Sequence, residues 1–112
     1  MGSSERLRLK FEDFHSNISS YFGHMRKDEH FSDVTLSCYG DEKIEAHKVI
    51  MAASSNFFDK LLKKNKHSHP VIYMRAINST QLSEVVDFIY HGEVNIYEKT
   101  LRTFPLLLKN FN

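Results

Sequence analysis

The side chains able to do chemistry are spread thinly through this chain of 112 residues, and their spacing does not favour catalysis. Its one cysteine, Cys38, alternates with Ser37 and Thr35 in a strand-like stretch, where a thiol packs as a small apolar group. Nothing local offers the access or the neighbouring base that a nucleophilic thiolate needs. The four glycines (Gly2, Gly23, Gly40 and Gly92) do not gather into a phosphate-cradling loop. His67 and His69 flank Ser68, but with no paired Cys/His spacing they make a poor zinc site, and they read as loop residues that follow a basic helix end into solvent. Lys60, Lys63, Lys64 and Lys66 form a modest cationic patch of the kind a helix C-terminus attracts on dipole grounds. With 15 Lys+Arg against 14 Asp+Glu, the formal net charge is +1, far from the basic balance of a nucleic-acid-binding face. The expectation is therefore no enzyme, no cofactor, no metal site and no direct contact with nucleic acid.

Composition leaves a different clue. Nine Phe and five Tyr are many for one small domain, whose interior is limited. Some of these rings are therefore expected to be covered by a partner. No apolar run approaches the roughly 18 residues of a membrane span, so no membrane partner is expected. A lone cysteine and the lack of a secretory pattern at the start point to a reducing compartment.

The elements that must position these groups follow from periodicity. Residues 1–5 are set aside as a flexible leader or cloning scar, and residues 6–112 are read as one domain. Leu7 and Leu9 alternate with Arg6, Arg8 and Lys10 as a short strand. From Phe11 the period becomes helical: Phe11, Phe14, Ile18, Tyr21, Phe22 and Met25 share one stripe. Val34, Leu36 and Cys38 alternate as a half-buried strand, and after a turn at Tyr39–Gly40 residues 43–46 return as a hairpin. Val49 to Ala53 suggest a short buried helix. Ser54, Ser55 and Asn56 cap another, which carries Phe57, Phe58, Leu61 and Leu62. Pro70 leads an apolar strand through Met74. Asn78, Ser79 and Thr80 cap a helix carrying Leu82, Val85, Val86 and Ile89, which stops near Gly92. Residues 93–96 read as a further short strand, and residues 98–111 as two short helices with Pro105 opening the second. The fold class is α+β: a cluster of short helices flanked by a small mixed sheet.

Three blocks in this order resemble the BTB/POZ domain. They are Phe31-Ser32-Asp33-Val34-Thr35-Leu36, the run from Ala46-His47-Lys48 through Asn56-Phe57-Phe58, and Asp87-Phe88-Ile89-Tyr90-His91-Gly92-Glu93-Val94. The resemblance spans roughly residues 7 to 108. Within that family, Leu7-Arg8-Leu9-Lys10-Phe11, His15-Ser16-Asn17-Ile18 and His69-Pro70-Val71-Ile72 are similar to segments of the tramtrack-type subgroup of insects. Phe11 stands where that subgroup has Trp, Glu12-Asp13 where it has Asn-Asn, and His15 where it has Gln. The family usually continues past residue 112, so the carboxyl end is read as truncated.

The resemblance implies an interaction module that forms an intertwined homodimer and, in the tramtrack-type subgroup, assembles further into larger oligomers such as hexamers. It implies a dimer interface at Phe11, Phe14, Ile18, Tyr21, Phe22 and Met51. It also implies strand exchange between Leu7 and Leu9 of one copy and Val94 and Ile96 of another, and a charged pair of Asp33 with Lys48 near the twofold. His47 is expected to be a packed structural histidine. On pattern alone, the helix beginning at Phe11 is expected to cover its own sheet; the resemblance reverses this in favour of a partner. The implied setting is a nuclear protein concerned with transcription or chromatin architecture. The implied partners are itself, other BTB domains of the subgroup and co-regulators. The rival reading is a substrate adaptor of a cullin-based ubiquitin ligase.

Overall fold

Strand β1 (Val34–Cys38) organises the domain. In the computed structural model, which describes residues 4–40, 42–75 and 77–98, Val34, Leu36 and Cys38 are buried, and so is Thr35 between them. β1 is covered on both faces and is the middle strand of the described three-stranded sheet. β2 (Glu42–Ala46) pairs antiparallel on one side, with Val34 opposite Ala46 and Cys38 opposite Glu42. β3 (Val71–Met74) pairs parallel on the other, with Thr35 opposite Val71. The hairpin turns at Gly40, whose φ of +91° favours glycine.

A parallel pair cannot be joined by a tight turn, and two helices supply the crossover from β2 to β3. They are α2 (Lys48–Ser54) and α3 (Asn56–Lys64). They are separate because Ser55 is extended, at φ −140° and ψ 120°, and its buried hydroxyl accepts the Phe58 N–H at 3.3 Å. α4 (Ser79–His91) starts in a reciprocal cap: Asn78 Oδ1 accepts from Gln81 N–H and Gln81 Oε1 from Asn78 N–H. It stops at Gly92, whose φ is +81°. The core joins Val34, Leu36 and Ala46 of the sheet to Ile50 and Met51 of α2, Phe58 and Leu62 of α3, and Leu82, Val85, Val86 and Ile89 of α4.

Helix α1 (Phe14–His24) begins three residues later than the stripe suggests. Asp13 sits at φ +57°, outside the helical region, and its carbonyl accepts the first helical bond, from Asn17 N–H at 2.9 Å. Phe11, Glu12 and Asp13 therefore precede the helix, and Arg26 and Lys27 follow its end. Arg26 does more than complement a dipole. Its guanidinium, nearly buried, donates to Asp87 Oδ1 at 2.6 Å and to the Ser83 hydroxyl at 3.0 Å, tying the end of α1 to α4. The two helices approach closely at Gly23, where a Cβ would lie 3.2 Å from His91 Nδ1.

Two expected strands are absent from the single chain. Residues 7–10 and 93–96 are described and form no ladder. Each has only isolated backbone groups to offer unless another strand is brought to it. Most of the expected carboxyl-terminal helices, including Pro105, lies outside the described residues.

His47, at the junction of β2 and α2, is buried and has every polar atom engaged. Its Nε2 lies 2.9 Å from the His30 carbonyl, which can only accept. In the neutral ring the proton therefore sits on Nε2, and Nδ1 accepts the Tyr90 hydroxyl proton at 2.7 Å. The same Tyr90 oxygen accepts the His47 N–H at 2.9 Å. Beyond it, Asp28 accepts the His30 N–H and lies against the His30 ring, and these bonds hold its carboxyl below the usual range.

Burial pushes the Tyr90 hydroxyl up to about 12 from an ordinary value of 10. Between these pH values the unfolded chain has lost its proton while the folded chain retains it, so stability should fall as pH rises through that window. The fall should be on the order of 2 kcal/mol by pH 12, measured by urea unfolding at steps from pH 9 to 12. Tyr90→Phe should lose this slope and, with the His47 N–H left unpaired, cost about 1–3 kcal/mol at neutral pH. Met51→Ala, which empties a fully buried site, should cost about 2–5 kcal/mol in the same measurement.

Candidate interaction surface

No residue of α1 is buried. Its stripe is split by the way the helix lies on α4. Phe22, with Met25 just past the helix end, packs partly against the core. Phe11, Phe14, Ile18 and Tyr21 remain between 41% and 66% exposed. Phe11 and Phe14 meet edge to face with ring centroids 5.7 Å apart, so the outward rings are arranged against each other and not against the domain. Beside them, Phe14, Ile18 and Phe22 line a shallow groove with Ile89 and Tyr90 of α4. A contiguous row of large apolar groups facing water is the usual mark of a contact surface.

Covering four such half-exposed side chains, at about 1.5–3 kcal/mol for each full burial, contributes on the order of 4 kcal/mol per chain. Association costs about 4 kcal/mol or more in lost freedom. One stripe against an inert surface therefore gains little. Two stripes meeting about a twofold axis double the gain, because each copy presents the same face.

The remaining expected site residues fall in different places. Leu7 and Leu9 are almost fully exposed. Val94 and Ile96 are half-buried against the core, and no described strand joins the two segments. Met51 is fully buried within its own core, so a partner has none of its surface to touch. Helical geometry explains the difference: on the seven-residue α2, Ile50 and Met51 face inward, while Val49, 71% exposed, and Ala53 face outward. The continuous apolar run from Val49 to Ala53 hides this division.

Asp33 and Lys48 are neighbours, but no ion pair joins their side chains. Asp33 Oδ1 accepts the backbone N–H of Lys48 at 2.7 Å, which satisfies an unpaired donor at the start of α2. The Lys48 ammonium turns to the His67 carbonyl at 2.8 Å. Asp33 thus caps the helix from its place just before β1. The expected pair is a cap and a loop tether, and its carboxylate is fixed by the backbone.

Sequence reasoning also missed Phe31. It is highly exposed and sits at φ +64°, a conformation unusual for a bulky residue. Its neighbours hold it there: the His30 carbonyl is fixed by His47, and Asp33 by the start of α2. No local pattern signals such a residue. The Arg26–Asp87 pair was equally hidden, since 61 positions separate its members.

Comparison with known proteins gives a consistent family. The BTB/POZ domain family model matches residues 22–111. The Broad-complex core protein of Drosophila melanogaster is 42% identical over 93% of this chain, which spans 14% of that protein's length. The longitudinals lacking protein-like of the same species is 36% identical over 93% of the chain and 81% of its own length. Tramtrack, alpha isoform, also from Drosophila melanogaster, is 30% identical over 91% of the chain and 12% of its own length. Among solved structures, the BTB domain of zebrafish PATZ1 superposes with a TM-score of 0.70 at 25% identity, covering 93% of this chain and 82% of that one.

Proposed function

This chain belongs to the BTB/POZ family, whose members are protein–protein interaction modules and not a family of enzymes, and on that premise we propose that it pairs two copies of a longer nuclear protein through α1. The observation that carries this reading is the outer face of α1, where Phe14, Ile18 and Tyr21, with Phe11 just before the helix, stand half-exposed and no residue of the helix is buried. Val49 of α2 adds to the apolar surface that a second copy would cover.

Assembly beyond the pair rests on the amino-terminal segment. Leu7 and Leu9 alternate with charged residues in strand fashion, and residues 93–96 run without a strand partner. Pairing these segments between copies would satisfy the backbone groups of both. The alternation of charge along the first segment would leave Arg6, Arg8 and Lys10 on its opposite face. Other BTB domains of the same subgroup are the natural heterologous partners, since they present a related face. The similarity of this amino-terminal block to the tramtrack-type subgroup supports a nuclear protein of transcription or chromatin architecture as the parent.

Light scattering on the eluting peak of a size-exclusion column tests the pairing. At micromolar concentration the chain should show a mass of at least twice 13.1 kDa. Phe14→Asp places a charge in the proposed contact without touching the core, and should lower the mass to that of one chain or expose the remaining rings to aggregation. A folded Phe14→Asp variant with unchanged mass would count against α1 as the contact. Removing residues 1–10 should leave pairs but no larger species, and an unchanged larger mass would count against strand exchange.

A further inference from the structure

The stretch from Lys60 to Arg75 contains Lys60, Lys63, Lys64, Lys66 and Arg75 and no acidic residue. It carries +5, so with a whole-chain balance of +1 the rest of the chain carries −4. All five cations are exposed. One of them, Lys63, is partly neutralised by Asp59 at 3.2 Å. This is a segregated charge that the overall balance conceals, and it brackets β3: the basic end of α3 and its loop lead into the strand, and Arg75 follows it.

β3 is an edge of the described sheet, whose order is β2-β1-β3. The Pro70 carbonyl accepts from Thr35 N–H at 3.0 Å, and alternation along a parallel ladder then turns Ile72 toward β1 as well. The backbone N–H and C=O groups of Val71 and Tyr73 point away from the sheet. Their side chains are 64% and 54% exposed. The strand thus offers hydrogen-bonding groups on its outer edge and two apolar side chains, between cationic ends. The strand's setting is rigid: His69 Nε2 lies 3.2 Å from Glu45 Oε2 and 2.8 Å from the Thr35 hydroxyl, and Pro70 is buried.

We propose that the β3 edge binds an extended acidic peptide segment of another protein, which adds a strand beside Val71–Met74 and sets its carboxylates against the cations at either end. Strand addition gives affinity through main-chain bonds and selectivity through alternate side chains. Charge selects the occupant. Of the two described strand-like segments without a ladder that a second copy could offer, Arg6 to Lys10 is itself basic and would be repelled, and residues 93–96 are held against their own core by Val94 and Ile96. Nucleic acid would use the cations but neither the edge backbone groups nor the two apolar side chains. This surface is separate from α1, and the inference does not depend on how the chain pairs.

The test is fluorescence anisotropy with the full 112-residue chain and a labelled peptide that alternates glutamate with valine, alongside its lysine counterpart, a peptide of residues 4–11 of this chain, and duplex DNA. Amide chemical shifts locate the contact. The glutamate peptide should bind, shift Val71 and Tyr73 most, and weaken roughly tenfold between about 50 and 300 mM salt, as screened charges require. The double variant Lys64→Glu/Lys66→Glu, at exposed positions, should weaken it at least tenfold, and Tyr73→Ser by several-fold, with the fold intact by circular dichroism. Equal binding of the lysine or residues 4–11 peptide would overturn the proposal. So would tighter binding of the DNA, no binding of the glutamate peptide, or shifts that leave β3 untouched.

Discussion

Interior volume is the constraint on which the rest of this domain depends. The sheet, α2, α3 and α4 fill the core with Val34, Leu36, Met51, Phe58, Leu82, Val85 and Val86, and only Phe22 and Met25 from the α1 region reach it in part. Among the described residues there is one core, as expected at this size, and the outer rings of α1 stay half-exposed beside it. The high aromatic content and the solvent-facing position of α1 are two consequences of one shortage.

The way α1 is held makes that surface usable. The close approach at Gly23 and the Arg26 clamp to Asp87 and Ser83 fix its end on α4, while Asp13 turns the chain before its start. The helix is thus placed by polar and backbone contacts, and its apolar face is left over. The same division appears at α2. Asp33 caps the helix and His47 anchors its entry to Tyr90, Ile50 and Met51 point inward, and Val49 remains outside. Polar groups locate the elements, and the apolar surplus defines what they can bind.

Much of this was legible in the residues because it is periodic. The alternation of Val34, Leu36 and Cys38 marked β1, the cap residues at Asn78 marked α4, and the stripe from Phe11 to Met25 marked α1, though the helix itself begins at Phe14. Burial of individual residues on short elements was not legible. Met51 and Val49 belong to one apolar run, and only the packing of α2 decides which faces inward. Long-range polar contacts such as Arg26 with Asp87 leave no local pattern. Leu7–Lys10 and residues 93–96 have strand composition but no ladder within one chain, since composition specifies a preference for pairing and not the partner. Asp33 and Lys48 are adjacent as expected, yet the nearest unsatisfied backbone donor claimed the carboxylate.

In the proposed pairing a second copy of this chain covers the outer face of α1. Isotope-filtered nuclear Overhauser measurements on an equimolar mixture of labelled and unlabelled chains test it most directly, because they report only contacts between copies. The account requires intermolecular contacts from the side chains of Phe14, Ile18 and Tyr21. A sample in which those side chains show none, while the copies remain associated through another face, would contradict it.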